Sequence, residues 1–475
     1  MRRALLAAAG AAALAAPEPA SAHAFGAVKD LPVPVWLFYY AGAIVLVVSF
    51  VALGVLWRRP LLGPRADGRP LPPWLQRVVL SPVTRIVLGA VSLALFVVVW
   101  IAAAVGRPDA SVNIAPTFVF VLFWVGMPVV VVLLGNVWSA LSPWRAAADA
   151  VHWVWVRTVG PWRTPFRYPQ RLGRWPAAVL LFAFVSLELA YSDPSDPRVI
   201  AVAIWIYSAV TWAGMVFFGR RAWADNGEAF NVYFGLLARI APFAVRETDG
   251  RREAVVRAPL SGLARDEPTP GTLTFVAVML GSVAFDGISR TRWWQDRRFS
   301  VTGDYVFSSP RLAEFLGTVM NLAGLLAAIL VVALAYLGAI AAARAVAARN
   351  RTENLAAVFV LSLVPIAFVY VIAHYFSLFV LQGQVAIPLV SDPLGRGWDL
   401  FGTTDFRVNL RALTPHQIWY VQVVALIVGH VCGLAVAHDR AVERWSGRTA
   451  IRTQYAMLAL MVLYTVGGMW ILSRP

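Results

Sequence analysis

The chain has 475 residues, 59% of them hydrophobic and 14% charged, with a mean hydropathy of +0.68 and a formal net charge of +16. A soluble protein carries about 25% charged residues, so a soluble globular enzyme is excluded. The positive balance does not point to nucleic acid, because the arginines fall between long apolar runs, where the positive-inside bias collects them.

Met1–Ala22 reads as a secretory signal. Arg2 and Arg3 form its basic start, Ala4 to Ala16 its apolar centre, and Ala20-Ser21-Ala22 a small-residue cleavage site. Cleavage there leaves His23 as the mature N-terminus. Ten apolar runs then predict membrane spans: Val33–Trp57, Ile86–Val105, Pro116–Trp138, Trp175–Tyr191, Val199–Phe218, Thr272–Ile288, Leu316–Ala342, Leu355–Leu381, Ile418–Ala437 and Tyr455–Leu472. The expected fold is all-α: a polytopic transmembrane bundle of about ten spans, forming one domain over 23–475 in a bacterial plasma (inner) membrane. Ten spans place both mature ends outside. Of the 41 basic residues, 27 fall in the loops this topology puts inside and 12 outside, as the positive-inside rule requires. The outer segment Arg290–Arg311 is basic against that trend, and the short sixth run fixes the direction of everything after it.

Two inner loops carry segments expected to lie at headgroup level. Ser142-Pro143-Trp144 starts one near 142–160, with serine as cap and proline in the first turn, leading into the tryptophan- and arginine-rich RAAADAVHWVWVR with His152. Asp225 with Glu228 resembles a capping box and starts the other, near 225–242. No phosphate-binding glycine loop, HExxH, CxxC or GxSxG is present. The lone Cys432 leaves no disulfide or thiolate cluster.

Chemistry therefore rests on polar groups inside the spans. Such groups are costly in hydrocarbon and face the bundle interior or a wet cavity. The densest stretch is Pro415–Asp439, which carries His416, Gln422, His430 and His438 in an apolar helix. His416 and His430 are two heptads apart and share a face, with roughly 21 Å of rise between them. His438-Asp439-Arg440 reads as the inner end cap of that helix. On the eighth run Tyr370, His374 and Ser377 share one face, crowned by Gln382 and Gln384. Asp286 closes the sixth run, one turn before Arg290. By depth, Asp286, His374, Gln422 and His416 are expected to meet in the outer half of the membrane, with His23 on the same side.

Imidazoles with a carboxylate are ligands for zinc or copper, and a metal-bound water becomes a nucleophile near neutral pH. His23 adds a two-point chelate through its amine and ring. In that reading Asp286, His374 and His416 are catalytic, His23, His374 and His416 hold the metal, and Gln382, Gln422, His430 and Tyr370 line the binding site. Without metal, Asp286, His374 and His430 form a proton relay, the usual transporter use of such residues. A membrane scaffold with no substrate site is the third possibility.

The segments SAHAFG, GSVAFDGISRT at Gly281, HYFSLFVLQGQ at His374, SDPLGRGWDLFGT at Ser391 and GHVCGLAVAHDRA at Gly429 are similar to bacterial multi-pass membrane proteins known as fenitrothion hydrolases. The resemblance covers most of the chain. It implies hydrolysis of a hydrophobic organophosphate triester at a membrane-bound site, with the lipid bilayer and a hydrophobic small molecule as partners, and it carries over no catalytic residue. The alternative is a proton-coupled transporter or a copper- or zinc-handling permease built on the same cluster.

Overall fold

The computed structural model describes residues 34–63, 68–248, 250–346, 354–445 and 447–473. The expected signal segment, its cleavage site and His23 lie outside the described residues. The helices that matter for function are α1 (Val35–Leu56), α2 (Pro82–Val105), α3 (Ile114–Leu134), α4 (Pro143–Thr158), α5 (Trp175–Leu189) and α6 (Pro197–Phe218). They continue with α7 (Arg220–Asn226), α8 (Ala229–Leu237), α9 (Thr272–Ser289), α10 (Pro310–Val346), α11 (Val364–Gln382), α12 (Pro415–Arg444) and α13 (Tyr455–Leu472).

Nine helical segments among the described residues are long and apolar enough to cross a membrane. Helix α5 is the tenth apolar helix, but its 15 residues rise only about 22 Å, short of the roughly 30 Å hydrocarbon core. The bundle is apolar outside as well as inside. Ile86, Val87 and Val91 on α2, Leu330, Val331 and Leu334 on α10, and Val424 and Val428 on α12 are all exposed. A helix apolar all round is one that water does not touch.

Local signals explain where spans begin. Ser81 Oγ accepts from Val83 N ahead of Pro82, and Asp196 accepts from Arg198 N ahead of Pro197. Thr414 and Gln417 form a full capping box at the start of α12. Between Thr117 and Gly126, α3 winds more widely, with i→i+5 bonds. Such π-type turns collect at functional sites.

The sixth run, on which the direction of the later spans depends, is a continuous helix at the centre of the bundle. Thirteen of the 18 residues of α9 are buried, against Gly42, Leu46 and Phe50 alone of the 22 in α1. Close approach is set by glycine. A Cβ on Gly281 would come within 2.6 Å of the Ile329 backbone on α10, and one on Gly433 within 2.6 Å of the Ser362 carbonyl. A Cβ on Gly429 would overlap the Val369 side chain on α11. Membrane helices pack through such small residues because apolar surface alone gives them no reason to leave lipid.

A small antiparallel sheet, a non-helical element in an otherwise all-α fold, closes one end of the bundle. Strand β1 (Arg69–Pro70) pairs with β3 (Arg251–Val256), Arg69 opposite Val256, and β2 (Phe243–Thr248) pairs with β3 from Phe243–Val256 to Thr248–Arg251. We refer to this end as the sheet face.

Of three expectations about loops and helix ends, two change. The segment expected near 142–160 is α4, a surface helix with Val151, Trp153, Val154 and Trp155 exposed. The segment expected near 225–242 does not lie with one face outward. In α8 eight of nine residues are buried, enclosed by Trp124, Trp138, Trp144 and Phe184. Its cap, Glu228, accepts from Phe230 N at 2.9 Å, from Asn231 N at 2.8 Å and from the Tyr207 hydroxyl halfway along α6. Glu228 is therefore a buried cap, which a helix enclosed on all sides needs because its first amides have no water to turn to. Finally, His438, Asp439 and Arg440 do not cap their own helix. They are buried within α12, which runs on to Arg444. Asp439 Oδ1 accepts from Trp57 Nε1 at 2.9 Å and from Leu61 and Leu62 N. His438 reaches the Trp57 carbonyl at 2.9 Å and Gln454 at 3.2 Å, and Arg440 donates to Leu263 O at 2.8 Å. The trio fastens the ends of α1 and α13 and the 261–266 turn to α12.

Candidate functional site

Away from the sheet face, three helices far apart in sequence bring ionisable side chains together. Helix α9 contributes Asp286 in its last turn and is followed by Arg290. Helix α11 contributes His374 and Tyr375. Helix α5 contributes Glu188, its penultimate residue.

Asp286 is the hub and is only 2% exposed. Its Oδ1 accepts from Arg290 Nε at 3.0 Å, and its Oδ2 accepts from the Tyr375 hydroxyl at 2.8 Å. His374 Nε2 lies 2.7 Å from the same Oδ2. A carboxylate with a guanidinium on one oxygen, and a tyrosine hydroxyl and an imidazole nitrogen against the other, has the close polar surroundings a buried charge needs. His374 is 8% exposed, whereas the Arg290 side chain is 43% exposed. The cluster thus runs from the bundle interior to the surface through Arg290.

Glu188 is the second acid. Its Oε2 is buried and has no hydrogen-bond partner among the described residues. Trp124, from the widely wound part of α3, lies close to the side chain, and Asp286 and Arg290 both act on it electrostatically. With both acids ionised and His374 neutral, the group holds two negative charges against the single positive charge of Arg290. Excess charge away from water costs several kcal/mol. A bound proton or cation removes it.

The expected site is thus formed in part. Asp286 and His374 meet as their depths implied. His416 is exposed in the first turn of α12, and among the described residues no three His, Cys, Asp or Glu side chains group closely enough to hold a metal ion. The catalytic trio Asp286, His374 and His416 is therefore not assembled among the described residues, and the expected metal set His23, His374 and His416 includes His23, which lies outside them. The physical reason is at Asp286, where Arg290 and Tyr375 take the positions a metal would use and the guanidinium repels a cation. The described residues around Asp286 do not fit zinc or copper. Gln382 is half-buried at the end of α11 and Gln422 half-buried on α12. His430 is deeper. Its Nδ1 is 2.7 Å from Leu426 O, its Nε2 is buried without a partner among the described residues, and its ring lies 6.0 Å from Tyr370. Tyr370 itself donates to Tyr464 O at 2.8 Å, so it ties α11 to α13 rather than lining the cluster.

Glu188 and Tyr375 complete the group without having been expected in it, whereas Arg290, one turn after Asp286, is the partner its spacing offered. Glu188 is the one acid in the run Trp175–Tyr191 and so is visible as an anomaly. Nothing in its spacing ties it to Asp286, 98 residues on.

A helical bundle with nine helices among the described residues long and apolar enough to cross a membrane, and with ionisable groups inside it, is the architecture of a multi-pass membrane protein. No protein-family model matches the chain, and neither a curated protein nor a solved structure does.

Proposed function

We propose that this chain is a proton-coupled permease whose Glu188–Asp286–His374 cluster takes up and releases a proton as a small solute passes. The observation that supports this reading is the pair of carboxylates around one arginine, one of them with a bare buried oxygen, inside an apolar bundle. Intramembrane acids and histidines in contact are the material of proton relays. Arg290 and Tyr375 fix Asp286, His374 can exchange a proton with it across 2.7 Å, and Glu188 offers a second acceptor beside them. The test is proton movement in proteoliposomes reported by an internal pH dye. Flux that appears with the wild type and is lost in His374→Gln supports the reading. Flux that survives in His374→Gln rejects it.

One observation favours a second reading. Two of the five segments that resemble fenitrothion hydrolases, those at Gly281 and at His374, supply Asp286 with Arg290 and His374 with Tyr375 to a single cluster. In this reading the Asp286–His374 pair is a general base that draws a proton from water attacking a hydrophobic phosphotriester. Fenitrothion turnover by purified protein, lost in His374→Gln, would favour it over the permease.

A further inference from the structure

At the sheet face, arginines outnumber acids where the spans end. Arg174 immediately precedes α5, Arg239 follows α8, and Arg440 reaches in from α12. Arg239 Nη2 is 2.9 Å and Arg174 Nη2 3.9 Å from Asp266 Oδ2, while Arg440 donates to the backbone carbonyls of Leu263 and Asp266. Asp225, nearby, is under the influence of Arg145, Arg221, Arg239 and Arg174, and Glu267 acts on Arg440. Among the described residues, the guanidinium groups that act on one another here, Arg145, Arg174, Arg221, Arg239, Arg257, Arg265, Arg440 and Arg444, outnumber the carboxylates Asp225, Asp266, Glu267 and Glu443. Asp149 does not redress this, because Arg85 and Arg220 already engage it.

The crowding is felt. Burial first, and then neighbouring Arg239, hold Arg174 down at about 10, and Arg257 is held at about 10 by burial with Arg239 and Arg265. The side chain of Arg174 is 8% exposed, and its Nε is buried with no acceptor among the described residues. The Nε of Arg440 is in the same position. Buried guanidinium N–H groups are ordinarily satisfied, and guanidinium forks match phosphate oxygens. Arg239 and Asp266, with 27% and 25% side-chain exposure, leave the corner open to a ligand.

We propose that the corner formed by Arg174, Arg239 and Arg440 around Asp266 binds a phosphate group. Asp266 orients the two arginines beside it, and the ligand neutralises the remaining positive charge. The position at the ends of α5, α9 and α12 suits a lipid phosphodiester, and the same chemistry would take a soluble phosphate. This site is separate from the Glu188–Asp286 cluster and does not rest on the function proposed above.

The test uses the full chain in nanodiscs. Native mass spectrometry counts bound phosphatidylglycerol against phosphatidylcholine, and thermal shifts are followed with inorganic phosphate. Wild type should retain phosphatidylglycerol preferentially, and Arg239→Gln should weaken that retention about fivefold, the effect of one arginine near a charged surface. Asp266→Asn, which removes a competing negative charge, should strengthen it. If inorganic phosphate shifts the transition and Arg239→Gln abolishes the shift, while phosphatidylglycerol is not preferred, the site holds but its ligand is soluble. Equal retention of the two lipids with no response to phosphate, or Arg239→Gln binding as wild type does, would overturn the proposal.

Discussion

Replacing Asp286 by Asn tests the hub of the cluster. The amide keeps the shape, loses the charge and turns an N–H toward one of three donors. Tyr375 and His374 are the buried partners, at 2.8 and 2.7 Å. Leaving them without their acceptor costs about 1–3 kcal/mol. The Arg290 contact adds little, because that side chain is 43% exposed and an exposed pair is worth at most about 1 kcal/mol. The expected loss is therefore about 1–4 kcal/mol. Tyr375→Phe, which removes one hydroxyl bound to a charged group, should cost about 1.5–3 kcal/mol. The two losses should not add, because the second change removes a bond the first has already spoiled, and the coupling should be about 1–2 kcal/mol. Unfolding in mixed detergent and SDS, followed by tryptophan fluorescence, gives all four corners of the cycle. If Asp286→Asn lies within about 0.5 kcal/mol of wild type, or the double variant is additive, Asp286 is not the acceptor that holds these side chains.

Two further outcomes follow from the same geometry. Gly429→Ala should destabilise by about 1–3 kcal/mol, because its Cβ would overlap Val369, whereas Gly467→Ala, with nothing within 4 Å, should stabilise by about 0.5–1 kcal/mol; the same unfolding assay separates them. A strong chelator should leave proton flux unchanged, because no three candidate ligands group among the described residues, and flux that stops on chelation and returns with zinc or copper would restore a metal centre.

The spans were legible in the sequence because lipid makes one demand, continuous apolar length, and hydropathy reports it directly. The observed α2, α6, α9 and α13 match the expected runs closely at their inner or outer ends. Helix α8 was legible as a helix but not as a buried one. AFNVYFGLL behind an acidic cap reads alike on a surface and in a core, and only the surrounding Trp124, Trp138 and Trp144 decide between them. At the candidate site, Asp286 and His374 could be matched by depth, since each is an ionisable residue at a known distance from a span end. Depth carries no azimuth, and this is why His416, at the right end of its helix, was expected in the cluster. It is also why Glu188 was not: its partners lie on helices about 100 and 190 residues away, and no spacing rule reaches that far. His438-Asp439-Arg440 shows the same limit, since its partners Trp57, Leu62 and Leu263 come from other segments.

The most direct measurement is infrared difference spectroscopy of the purified protein in lipid, following the carboxylic-acid carbonyl band as pH is cycled. A band that reports reversible protonation in the wild type, vanishes in Glu188→Gln and shifts in Asp286→Asn is the result expected of a shared two-carboxylate proton site. Spectra in which neither substitution alters any carboxylic-acid band would contradict it.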